Sequence, residues 1–302
     1  MNSVKRRPFT EFMERIFQNG HAEVAPPLKD GEECWYLPVF GVYHPKKKEQ
    51  IRVVFDSSAK YQGQSLNGVL LSGPDLTNSL VGILMRFREN AVGVTGDIQQ
   101  MFYQFYVHEK DRNFLRFMWY RDNDTTKDLI EYRMCVHVFG NSPSPAVATY
   151  GLRKIADNTA PSLGEDVKTF IDENFYVDDG LASLQSTAEA VDLMKRTQEA
   201  LSTEGGLRFH KIASNDKNVL SAFPEEDLDK GLKTLDLTED MLPVQRSLGL
   251  SWDLKHDCFV FKVAEHKSTA YTKRTVLSTV NSLYDPLGFI APVTIGGKKF
   301  VA

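Results

Sequence analysis

Apolar and polar positions along this chain follow two periods, and each change of period marks an element. Strand-like runs occur at Val39 to Val42, Ile51 to Phe55 and Ala91 to Ile98, the last carrying Asp97 near its end. Phe170-Ile171 and Phe175-Tyr176-Val177 read as strand running into a turn at Asp178-Asp179, and Leu181-Ala182 runs out again. Leu207 to Ala213, Ser247 to Asp253 and Asp257 to Phe261 complete the strand-like set. Helical spacing is read at Phe9 to Phe17, Ala146 to Ile155, Ser186 to Leu201 and Thr275 to Tyr284, where Asp285-Pro286 ends it. A polar Pro/Gly/Glu linker from Pro26 to Glu33 follows the first helix. This order of elements predicts an α+β fold, an antiparallel sheet packed on helices, rather than a parallel α/β domain.

Composition sets the outer bounds. At 302 residues, 42% hydrophobic and 25% charged, the chain is an ordinary globular protein with core for two or three subdomains, which excludes a disordered or fibrous reading. It has no run of about eighteen apolar residues, and no apolar stretch follows Met1 to Arg7, so neither a membrane span nor a secretory signal is supported. Cys34, Cys135 and Cys258 show no metal-ligand or disulfide spacing, which suits packing roles in a reducing compartment. A net charge of −4 argues mildly against a nucleic-acid binder. Acidic residues cluster in Glu225 to Asp240, however, and basic ones in Lys46 to Lys60, at Arg86-Phe87-Arg88 and in Lys267 to Arg274, leaving room for one cationic face.

The chemistry-bearing feature is Tyr176-Val177-Asp178-Asp179-Gly180, two adjacent carboxylates at the tip of an apolar hairpin. Adjacent aspartates repel, which raises the pKa of at least one unless cations sit close by, and magnesium suits oxygen ligands of this kind. Taken alone, a solvated Asp-Asp turn is the more ordinary reading, since Asp is common in turns. A third carboxylate, Asp97, lies 81 positions before Asp178 at a strand end, followed by Gln99 to Phe105. Between them, His137 to Ala146 is a Gly/Ser/Pro loop opening a helical stretch, a setting that can hold a planar group and its phosphates. No Ser/His/Asp or Cys/His arrangement competes with this set.

In order and spacing these motifs resemble the palm of a reverse transcriptase, and more narrowly the polymerase region of a BEL/Pao-type long-terminal-repeat retrotransposon. The stretches that carry the resemblance are Ile51 to Ala59, Asp97 to Phe102, Phe139 to Pro145, Phe175 to Gly180 and Leu207 to Asn215, and it covers about residues 36 to 300. It implies a right-hand polymerase fold. Residues 1–34 would be an N-terminal extension and linker, 35–90 fingers, 91–262 a palm with a primer-grip-like hairpin, and 263–302 the truncated start of a thumb or connection. It implies RNA-directed DNA polymerase activity, in which a primer 3′-hydroxyl attacks a nucleotide α-phosphate in line between two divalent ions, Mg²⁺ with Mn²⁺ able to substitute.

Under this resemblance Asp97 and Asp178 bridge the ions, the main-chain carbonyl of Ile98 adds a ligand, and Asp179 supports the second ion. Arg52 is placed on the incoming triphosphate, with Lys46-Lys47-Lys48 on a preceding hairpin loop. Phe102, five positions after the first aspartate, is placed to exclude a ribose 2′-hydroxyl, although core packing is the plainer reading of an isolated Phe. Phe139 and Gly140 fall in the nucleotide-binding loop. Phe139 stands where some relatives carry Gln, so a hydrogen-bonding role does not carry over to it, whereas Gly140 and Ser144-Pro145 match. Lys211 is placed near the pyrophosphate leaving group as a general acid or a charge. Tyr176 and the Leu248-Gly249-Leu250 hairpin are placed against primer and template.

The implied partners are an RNA or DNA template with primer, deoxynucleoside triphosphates, and the downstream ribonuclease H and integrase domains of a parent polyprotein, with no membrane. The implied location is intracellular, in cytoplasm or virus-like particles, with the nucleus equally compatible. Two competitors stand. An RNA-dependent RNA polymerase shares the two-metal palm but is disfavoured by Phe102 and by the Tyr-Val-Asp-Asp form. A catalytically inactive relic, or a domesticated nucleic-acid-binding fragment of the same fold, would keep every motif. Lys273 to Pro292 resembles the segment after the palm in BEL/Pao polyproteins, sometimes labelled a peptidase; no Asp-Thr-Gly or Asp-Ser-Gly loop supports an aspartic protease. The chain ends at Lys298 to Ala302 in a helix-forming stretch, which suggests a fragment of a longer polyprotein.

Overall fold

Burial of apolar faces organises the chain into two compact units, Met1–Leu76 with Gln100–Gly151, and Thr77–Gln99 with Leu152–Ala302. The structure, a computed structural model, describes residues 3–44, 47–233, 241–261 and 272–299. No helix among these residues is long and apolar enough to cross a membrane.

In the first unit, the helix Ser3–Gln18 turns Phe9, Met13 and Ile16 inward, a spacing of four and three residues that keeps them on one face. Phe9 stacks on Trp119 with ring centroids 4.9 Å apart, so this segment belongs to the core. Beneath it lie a three-stranded sheet ordered Ala22–Val24, Leu129–Met134, Arg116–Tyr120, and the hairpin Val39–His44/Lys47–Phe55. Arg116 and Arg133 face each other across that sheet and are both buried. Asn113 Oδ1 accepts from both guanidinium groups, while Glu131 (2.6 Å) and Glu23 (2.7 Å) supply the countercharges that make such burial tolerable.

The second unit is built on a four-stranded antiparallel sheet ordered Phe175–Tyr176, Asp179–Leu184, Val92–Ile98, Phe209–Ser214. The helices Glu165–Glu173 and Thr187–Gly205 pack on it. Phe170-Ile171, expected as strand, lies in the first of these, because Val167, Phe170 and Ile171 form a buried helical face. Ser186 caps the second helix, accepting from Glu189 N, and Gly206 closes it in the left-handed region at φ 60°.

A second sheet of this unit, Val244–Ser247, Leu250–Asp253 and Cys258–Val260, is anchored by buried Trp252, which meets Phe87 edge-on at 4.8 Å. Trp252 Nε1 donates to Asp257 Oδ1 (2.9 Å), and Arg88 donates to the same carboxylate (2.6 Å). Arg86 donates to Asn174 Oδ1 (2.9 Å). These two arginines, counted toward a cationic face, therefore serve internal bonds, and Phe87 between them is core. Cys135 is buried as expected of a packing residue, but Cys258 is exposed on its short strand. The helix Lys273–Asn281 stops before Tyr284, and Asp285 then accepts from Phe289 N (3.1 Å) and Ile290 N (2.7 Å) ahead of the helix Ala291–Lys299. Of the basic clusters, Lys46, residues 267–271 and the side chains of Lys47 and Lys48 lie outside the described residues.

Candidate functional site

Asp97 and Asp179 are direct partners in the antiparallel pairing of Val92–Ile98 with Asp179–Leu184, and residues opposed in this way present their side chains on one face. Asp178 occupies the two-residue turn between Tyr176 and Asp179, and its carbonyl accepts from Ile98 N (2.8 Å), fixing the turn to the end of the Asp97 strand. Val177, the other turn residue, has φ 60°. That region is costly for a β-branched residue, and an outlier of this kind at a hairpin tip bearing two carboxylates points to function.

From the other side comes Phe209–Ser214, whose register against Val92–Ile98 shifts between Thr95 and Asp97. The shift is a bulge at Lys211, itself at φ 52°. Lys211 Nζ donates to Asp97 Oδ1 (2.8 Å), and His210 Nε2 lies 3.3 Å from that oxygen without forming a hydrogen bond. Strand alternation would put residues 210 and 211 on opposite faces, so the bulge brings both beside Asp97. His210 is a neighbour that no sequence signal announces, because the left-handed position is filled by Lys rather than Gly.

Electrostatics separates the three carboxyls. Burial pushes Asp97 up, but the His210 imidazole and Lys211 ammonium outweigh it and hold its pKa below the usual range. Asp178 is raised by burial and then by the Asp97 charge. Asp179 is pushed to about 7 by burial, then by the charges of Asp178 and Asp97. Among the described residues, no three His, Cys, Asp or Glu side chains converge as a ready-made metal cluster, and the Asp97 carboxylate is engaged by Lys211 instead. The donor set nonetheless fits a hard divalent cation: three carboxyls and the strand-end carbonyl of Ile98 are oxygen donors, and two of the carboxyls carry negative charge that the protein leaves poorly compensated.

Three of the expected nucleotide-binding residues meet within the first unit. The Arg52 guanidinium lies 5.8 Å from the centroid of the Phe139 ring, and Phe102 approaches that ring at 5.8 Å. Phe139 is 61% exposed, a ring held on a surface rather than in a core. Gly140 has φ 99°, and its carbonyl accepts from Asn67 Nδ2 (2.8 Å), so the loop needs glycine there and is tied down beside it. Ser144 Oγ donates to Val138 O (3.0 Å) and buried Ser57 is bonded to Asn141, further fixing the loop ahead of the helix Ser144–Leu163.

Tyr176, Leu248, Gly249, Leu250, the three aspartates, Ile98 and Lys211 belong to the second unit. Leu248 and Gly249 form the tip of the Val244–Asp253 hairpin at φ 49° and 83°, packed beside Tyr284. Leu250, by contrast, is 2% exposed and belongs to the core.

Three solved structures share the fold over 69% of this chain: foamy viral protease-reverse transcriptase dRH with ds DNA (16% identity, TM-score 0.50), foamy viral protease-reverse transcriptase with RNA/DNA hybrid (15%, 0.51), and the prototype foamy virus protease-reverse transcriptase CSH mutant (18%, 0.50). This chain spans only 31%, 24% and 24% of the length of those chains. A family model described as Pao retrotransposon-like RNaseH-like domain matches residues 272–302. Curated protein sequences give no match. The chain therefore shares a mixed fold with antiparallel sheets with those structures, and its C-terminal segment is similar to a Pao retrotransposon-like family.

Proposed function

We propose that this chain is the RNA-directed DNA polymerase domain of a BEL/Pao-type retrotransposon Pol polyprotein, extending a primer 3′-hydroxyl by two-metal nucleotidyl transfer. The observation that carries this reading is the register of Asp97 against Asp179, with Asp178 in a strained turn bonded to the Asp97 strand. Divalent cations bound there would neutralise charge on the attacking and leaving oxygens. The protein's part is positional: Asp97, Asp178 and Asp179 supply the anionic oxygens, with the Ile98 carbonyl beside them. Lys211, which donates to Asp97, is placed beside the carboxylates to serve a leaving pyrophosphate once that bond is released. Arg52, Phe102, Phe139 and Gly140 would hold the incoming deoxynucleoside triphosphate. The segment 263–302, expected as the start of a thumb or connection and lying outside the described residues at 263–271 and 300–302, matches over 272–302 a family described as an RNaseH-like domain, which favours a place beside the ribonuclease H-like part of a Pol polyprotein over a thumb.

The test is deoxynucleotide incorporation on poly(rA)/oligo(dT) with Mg²⁺ or Mn²⁺, comparing the chain with its Asp178→Asn, Asp179→Asn double variant. Metal-dependent extension that the double variant loses is the expected result. Template-primer binding with no extension by either protein would favour the inactive, nucleic-acid-binding reading instead.

A further inference from the structure

His21 and Tyr103, which carry no role above, meet in the first unit behind the ring placed against the sugar. Tyr103 follows Phe102 in the short 3₁₀ turn Met101–Gln104, and its N–H donates to Gln100 O (2.9 Å). Successive side chains of such a turn diverge by about a third of a revolution. Tyr103 turns into the core cluster that holds Met13, Ile16 and Val136, while Phe102 faces Phe139. The direction of one ring therefore sets the direction of the other.

Tyr103 rests on His21. Their ring centroids lie 5.2 Å apart with planes tilted by 35°, within the separations typical of aromatic pairs. His21 is 6% exposed, and its backbone is fixed on both sides: its N–H donates to Ile16 O (2.9 Å), where the first helix closes, and its carbonyl accepts from Cys135 N (2.8 Å). Among the described residues its Nδ1 meets no hydrogen-bond partner. A buried nitrogen left in that state costs stability that a leucine in the same place would not. Burial holds the His21 imidazole below its ordinary pKa and pushes the Tyr103 phenol up to about 12, so both are uncharged at neutral pH and the contact is ring against ring. What the imidazole supplies is a flat wall for Tyr103. Farther along the same segment, the Phe105 ring occupies the place that a Cβ on Gly151 would take, and Phe105 O accepts from His137 N (2.9 Å). The segment is thus held against the helix Ser144–Leu163 by Phe105 and against His21 by Tyr103, which leaves Phe102 as the ring directed at Phe139.

We propose that His21 is a positioning residue which, through Tyr103, holds the Phe102 ring at the height that separates deoxyribose from ribose. Selection of the sugar then depends on the segment that follows the first helix, which touches no substrate itself. This rests on the polymerase reading above and on the place given there to Phe102.

The experiment is equilibrium binding of dTTP and of UTP, with Mg²⁺, to the intact chain on an oligo(rA) template whose oligo(dT) primer ends in a dideoxynucleotide, so that selection is read without extension. Wild type is compared with His21→Leu, which fills the space and leaves no nitrogen unpaired, and with His21→Phe, which keeps a ring. His21→Leu should bind UTP about fivefold more tightly with dTTP affinity unchanged, and His21→Phe should select as wild type does. The proposal is overturned if His21→Leu shifts both nucleotides alike or neither, if His21→Phe loses selection as His21→Leu does, or if wild type shows no preference for dTTP. Failure of the polymerase reading shows separately. A chain that prefers dTTP through His21 but extends no deoxy-ended primer keeps the positioning role and loses that function, whereas one that extends primers and keeps its preference in His21→Leu loses the positioning role alone.

Discussion

Val177 holds φ 60° between Tyr176 and Asp178, a conformation that costs a β-branched residue roughly 1–3 kcal/mol. Glycine adopts it freely at an entropic cost of roughly 0.5–1 kcal/mol, so Val177→Gly should raise the stability of the metal-free protein by about 1 kcal/mol in urea unfolding. A loss of stability would show that the valine side chain contributes more by packing than its backbone costs. Asp179 makes a second residue-scale prediction. Its folded pKa, about 7, lies above the ordinary 3.8, so folding takes up a proton between those values. The group therefore opposes folding fully above about pH 7 and ceases to do so as pH falls toward 4. Asp179→Asn should stabilise the metal-free chain at pH 8 by on the order of 2 kcal/mol, discounted because the carboxyl is partly solvent-accessible, and the difference should vanish near pH 4. A pH-independent difference between the two proteins would contradict this origin of the shift.

Among the elements, those with a clean period were legible. Ala91 to Ile98 and the Tyr176 hairpin are short apolar runs bounded by turn residues and buried at most positions, and the helices at 146–155 and 186–201 show one apolar face each, so all four are legible in the sequence, with the observed elements somewhat longer or shorter. Phe170-Ile171 was misread because two adjacent apolar residues carry no period; Val167, three positions earlier, holds the helical signal. The Lys211 bulge was not legible at all, since a left-handed lysine has no composition cue, and with it went the placement of His210. The Phe102, Phe139 and Arg52 cluster depends on the strands and loops of one unit meeting in space, which spacing along the chain does not encode. Close packing of the central sheet makes its own prediction. A Cβ at Gly96 would run into the Phe209 ring, so Gly96→Ala should cost about 2 kcal/mol in denaturant unfolding. Wild-type stability in that variant would mean the ring moves freely aside.

At the scale of the whole chain, each unit is assembled from two separate stretches of sequence, which a reading along the chain cannot see because the partners that bury one another lie far apart in it. Net charge of −4 does not describe the local fields: Arg86 and Arg88 serve internal bonds, while the three aspartates concentrate negative charge in one place. The account stands on those three side chains acting together as a divalent-cation site, with Lys211 paired to one of them. The most direct measurement is Mn²⁺ binding followed by electron paramagnetic resonance, with proton release recorded at pH 7, on the wild-type chain and on the Asp178→Asn, Asp179→Asn double variant. The account predicts that wild type binds Mn²⁺ and releases protons as Asp179 ionises, and that the double variant does neither. Equal Mn²⁺ binding by both proteins would contradict it.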